Sequence, residues 1–82
     1  MDLEALNFTS AKLLAALHRA TRANYRYIYT CREQGRSVDP IVANQLTNHM
    51  MLLQDVARAA GIDPDDVVDA MRRGSQQAFD EQ

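Results

Sequence analysis

"QDVARAAGIDPDDVVDAMRRG", residues 54–74, holds a helix stop, a cap and a helix start within four positions. Gly61 takes a left-handed backbone cheaply and so ends one helix. The Asp63 carboxylate can accept from an orphan N–H at the start of the next. Pro64 suits a first helical position, where its missing N–H costs nothing. Ala57 is small where two helices must cross, and Ile62 and Val67 plug the angle between them. The stretch predicts two helices meeting at a tight corner.

The same punctuation stands upstream in "GRSVDP", residues 35–40, with Gly35 as the stop, Asp39 as the cap and Pro40 as the first helical residue. Three helices follow, at about residues 10–34, 40–60 and 64–73. Thr9 or Ser10 can cap the first. Leu3, Leu6 and Phe8 precede it, as an extension or as a short arm folding back. Gly74 is expected to end the third helix, leaving "SQQAFDEQ" as a fraying tail. At about 100° per residue, Leu13, Leu17, Thr21, Asn24, Ile28 and Cys31 share one face of the first helix. The second has a broad apolar face of Ile41, Val42, Leu46, Leu52, Leu53, Val56, Ala57 and Ala60, wide enough for two neighbours. The expected fold class is all-α: a compact three-helix domain, a long helical hairpin plus a short third helix in a helix-turn-helix-like corner.

Composition agrees with one soluble domain. The chain has 82 residues, 46% apolar and 24% charged, with few Gly and Pro. Val and Ile are sparse beside Ala, Leu, Gln and Arg, which favours helices. A single cysteine, Cys31, forms no internal disulfide and suits a reducing compartment. The start of the chain lacks the pattern of a signal peptide, and no stretch approaches the ~20 apolar residues of a membrane span. A cytoplasmic protein is expected. Net charge is −2, unevenly placed: residues 1–37 carry six basic and three acidic side chains, residues 38–82 three basic and eight acidic.

Val56, Ala57, Ala60, Gly61, Ile62, Val67 and Ala70 resemble the opening motif of lactose-repressor-family transcription factors, in which a "DVARAAGV" stretch precedes the DNA-reading helix. The resemblance covers about 20 residues and implies a helix-turn-helix corner and DNA reading. In that family the reading helix begins with small polar residues that reach bases and phosphates. This chain has Asp63, Asp65, Asp66 and Asp69 there, which a polyanion repels. Helix-end electrostatics explains three of them: Asp63 as cap, Asp65 and Asp66 in a first turn where the dipole favours negative charge. Asp69 has no such local reason. Asp65, Asp66 and Asp69 also suit an acidic binding surface that mimics phosphate charge.

On the first helix Arg19, Arg22 and Arg26 fall within about 60° of one another, flanked by Tyr29. Such a stripe suits solvent, an acidic protein patch or nucleic-acid phosphates. Tyr27 lies across from Tyr29, so the three tyrosines form no single stacking platform. His18 and Cys31 are roughly 20 Å apart along one helix and cannot share a metal. His49 is read as a core or interface histidine bonded to Asn24 or a backbone carbonyl. Met51 faces away from the core, and Met50 and Met51 are adaptable interface material.

No glycine-rich phosphate loop, serine elbow or paired carboxylate in a cleft is present. The reading is a non-enzymatic protein–protein interaction module without metal or other cofactor. It would suit a phage or mobile-element accessory factor that modulates or inhibits a host protein. Candidate partner-binding residues are Arg19, Arg22, Arg26, Tyr29, Met50, Met51, Asp65, Asp66 and Asp69. A protein partner or a second copy is expected, as in a homodimer, with no membrane and no small-molecule substrate. One alternative is a DNA-binding regulator that touches the phosphate backbone through the helix-one arginines. The other is a structural subunit of a larger assembly.

Overall fold

The computed structural model describes the backbone from Leu3 and the side chains from Thr9 onward. Its described residues form three helices and no strand: α1 (Leu3–Glu33), α2 (Pro40–Ala59) and α3 (Pro64–Asp80). The fold is a compact all-α three-helix domain. α1 is its spine. Its 31 residues span about 46 Å, most of the 51 Å longest extent.

Both expected stops are Schellman motifs. Gly35 sits at φ 65° and Gly61 at φ 78°. At the first, Arg36 N–H donates to the Cys31 carbonyl and Gly35 N–H to that of Arg32. At the second, Ile62 N–H donates to the Ala57 carbonyl and Gly61 N–H to that of Arg58. Both aspartate caps form: Asp39 accepts from Ile41 N–H and Asp63 from Asp65 N–H, each at 2.9 Å. The Tyr27 hydroxyl accepts from Asp39 N–H at 2.9 Å and ties the linker to α1.

The corner packs as its residues suggest. Leu17, Ala57, Ile62, Val67 and Ala70 form one buried cluster, with Leu13, Leu14, Met50, Leu53 and Met71 packed around it. Beyond the corner α2 and α3 diverge. Each lies along α1, and they touch each other little.

Two helix limits differ from the sequence expectation. α1 starts at Leu3, not at a Thr9 or Ser10 cap. Residues 3–9 include good helix formers and no glycine or proline to stop them. The side chains of Leu3, Leu6 and Phe8 lie outside the described residues. α3 does not end at Gly74. It continues to Asp80, and the expected tail is two further helical turns.

Gly74 is a contact residue instead of a terminator. A Cβ built there would lie 2.5 Å from the His18 carbonyl oxygen, 3.0 Å from Thr21 Cβ and 3.1 Å from Arg22 N. Two of those atoms are helix backbone and cannot swing away. Gly74 therefore lets α3 lie directly on α1. In an exposed helix interior Gly→Ala is stabilising by ~1 kcal/mol. Gly74→Ala is expected to do the opposite, costing about 1–3 kcal/mol through overpacking. Urea unfolding checks the sign: the midpoint falls at unchanged slope, and a rise would remove the close approach from the account.

Candidate interaction surface

The continuation of α3 changes the surroundings of the basic stripe. Gly74 and Ala78 are buried against α1, and the next turn delivers Glu81. Arg22 Nε donates to Glu81 Oε1 at 2.6 Å, and its Nη2 bonds the second oxygen. Arg26 Nη1 donates to the Glu81 main-chain carbonyl at 3.0 Å. His18 Nε2 meets Gln77 Oε1 at 2.6 Å. Tyr29 packs edge-on against Phe79, centroids 6.3 Å apart, and tilted against Tyr25 at 6.4 Å. Of the three stripe arginines, Arg22 and Arg26 are thus engaged by α3, and Arg19 is exposed.

The aspartates divide similarly. Asp65 and Asp66 are exposed in the first turn of α3. Asp69 is half-buried and does have a local reason: Arg72 lies 2.6 Å away and Arg73 2.8 Å away. Those are the i,i+3 and i,i+4 spacings of one helix face. The Arg72 hydrogen bond holds the Asp69 carboxyl below its ordinary range, with the charges of both arginines adding and desolvation opposing.

The pairing expected of His49 is overturned. His49 is exposed, and Asn24 Oδ1 instead accepts from Thr47 Oγ1 at 3.4 Å. The inward face of α2 centres on Leu46, Met50, Leu53 and Ala57. Ile41, Leu52 and Val56 belong to a second, outward stripe. Reading both stripes as one wide face put His49, which lies between them, at its middle. Met50 packs on the core cluster while Met51 is exposed. Cys31 is a buried free thiol. Among the described residues no three His, Cys, Asp or Glu side chains come together as metal ligands, and no helix is long and apolar enough to cross a membrane.

The sequence-derived candidates omit the largest apolar exposure. Ile41 is 69% exposed, Leu52 60%, Val68 59% and Phe79 57%. Along the outward side of α2, Ile41, Gln45, Asn48, Leu52 and Val56 are all exposed at helical spacing. Residues 40–54 contain no Asp, Glu, Lys or Arg. Between α2 and α3, Thr21, Tyr25, Gln54, Val68, Met71, Arg72 and Ser75 line an open groove. The available signal was the width of the α2 apolar face, which asks for two neighbours. α1 supplies one, and α3 touches α2 only near the corner.

Glu81 gives this arrangement a pH signature. The Arg22 hydrogen bond holds its carboxyl below the ordinary range, helped by the charges of Arg22 and Arg26 and opposed by desolvation. A carboxylate depressed in the folded state stabilises above its unfolded pKa, about 4.3. That contribution is lost as pH falls through the lower folded value. A carboxyl-detected NMR titration should show Glu81 titrating below the ordinary glutamate range, with amides 78–82 losing exchange protection on acidification. In Glu81→Gln, protection there should be low already at neutral pH. An ordinary Glu81 midpoint would mean the ion pair does not hold the end of α3.

The chain matches no protein-family model, no curated protein and no solved structure.

Proposed function

We propose that this chain is a non-enzymatic protein–protein interaction module working in the cytoplasm, with the uncharged outer side of α2 as its contact surface. The observation that carries the reading is the exposure of Ile41, Leu52 and Val56 on a helix without a charged side chain over residues 40–54. Loss of charge from a patch centre and gain of apolar side chains mark the cores of protein interfaces. Full burial of one such aliphatic side chain stabilises by roughly 1.5–3 kcal/mol. Met51, flexible and exposed on the same helix, suits an adaptable contact. A module of this kind would serve an accessory factor that modulates or inhibits another protein, as in a phage or mobile element.

The DNA-regulator alternative draws less support. Backbone binding needs free guanidinium groups, and Arg22 and Arg26 already engage Glu81. Asp65 and Asp66 head the helix that would enter a groove.

Two assays test the proposal together. Labelled duplex DNA titrated at low salt should show no binding. Immobilised chain should retain protein from the cells that express it, and Leu52→Glu should lose what the wild type retains, because Leu52 is exposed and its replacement leaves the core intact. Tight, salt-steep DNA binding that disappears in Arg19→Glu would replace the proposal with the regulator reading.

A further inference from the structure

Resting on the reading of α2 as a protein contact surface, we infer that its occupant is a second copy of this chain, paired antiparallel through α2 about a twofold axis beside Asn48. Three observations select this occupant. The first is charge. A partner seated over residues 40–54 would bury any charge of its own without a counter-charge, at several kcal/mol as an order of magnitude. A suitable partner presents an uncharged, half-apolar helical stretch, and residues 40–54 of α2 are one.

The second is order along the stripe. Ile41, Gln45, Asn48, Leu52 and Val56 are exposed on one side. Run antiparallel against itself with the axis between positions 48 and 49, this stripe sets Ile41 against Val56 of the second copy, twice. Gln45 meets Leu52, its aliphatic stem on the leucine and its amide at the rim. Asn48 meets Asn48 at the axis, where two amides can exchange hydrogen bonds. A polar pair at one interface position fixes register. Such self-complementarity is what a twofold contact requires.

The third is an opposite-charge pair at each end of the stripe, beyond Asp55, which comes level with Val42 of the second copy. In the same register Arg58, in the last turn of α2, lies at the axial level of Asp39 at the start of the second copy's α2. The antiparallel arrangement also sets the positive end of each helix beside the negative end of the other.

The test uses the whole chain. Sedimentation equilibrium over micromolar to millimolar loading should show mass rising from 9.2 kDa towards twice that value. Leu52→Glu should weaken the association about tenfold or more by burying an unpaired charge. Its circular dichroism should stay that of the wild type, since Leu52 is 60% exposed. Adding Gln45→Lys to Leu52→Glu should restore the dimer. Positions 45 and 52 are two turns apart on one helix, about 10 Å, so the rescue acts between copies.

Register is read separately by cysteine oxidation in a Cys31→Ala background. Asn48→Cys should link two copies readily, and Gln45→Cys should not, because its two cysteines stand about 10 Å apart along the axis. A chain monomeric at every concentration, or one in which position 45 links as well as position 48, overturns the inference. If the monomeric wild type still retains a cellular protein that Leu52→Glu releases, the second-copy occupant falls while the contact surface stands. If neither partner is found, both fall.

Discussion

Two helix backbones meet in this protein with no room for a side chain between them. At Gly74 the main chain of α3 lies on the main chain of α1 at His18 to Arg22, with no room for a Cβ. That approach lets α3 run flat along the spine. Val67, Ala70, Gly74 and Ala78 then form one buried row, small throughout except at the corner. A larger residue at 74 would push α3 outward and cost dispersion contacts on both sides of it. It would also withdraw Gln77, Phe79 and Glu81 from His18, Tyr29, Arg22 and Arg26. The polar seam at the far end of α3 depends on the steric fit at its middle.

Much of the fold was legible because its boundaries are set by local chemistry. Asp39–Pro40 and Asp63–Pro64 cap and start helices whatever surrounds them, and Gly35 and Gly61 end them through positive φ. Gly74 defeated the same reasoning. A glycine after Arg72 and Arg73 has the local pattern of a helix end, yet its role is set by a helix more than fifty positions away in the chain. Misreading it also freed Arg22 and Arg26 on paper, since their partner Glu81 seemed to sit in a tail. The error at His49 has a related origin. Helical periodicity reports which residues are apolar, and it cannot separate a stripe that meets α1 from one that meets nothing within the chain.

The corner itself links fold to surface. Ala57, Ile62 and Val67 close tightly on Leu17, and the turn they form sends α2 and α3 apart rather than together. In a closed three-helix arrangement each helix would have two neighbours. Here α1 has two and α2 has little more than one. The apolar residues that a second neighbour would cover, Ile41, Leu52 and Val56, stay on the surface. An exposed patch of that kind favours association over staying in water.

The outer faces of α2 and α3 show opposite adaptations to that situation. On α3 the outward side chains are mostly polar, and several pair within the helix, Asp69 with Arg72 and Arg73 and Gln76 with Asp80 at 2.9 Å, although Val68 and Phe79 are exposed there too. Such i,i+3 and i,i+4 pairs help keep a helix stable in water. On α2 the outward side chains are aliphatic or neutral amides over about four turns, with charge only at the two ends. A helix meant for solvent would carry the first pattern on both faces. The division between them places the pressure to associate on α2, and the fixed seat of α3 on α1 keeps it there.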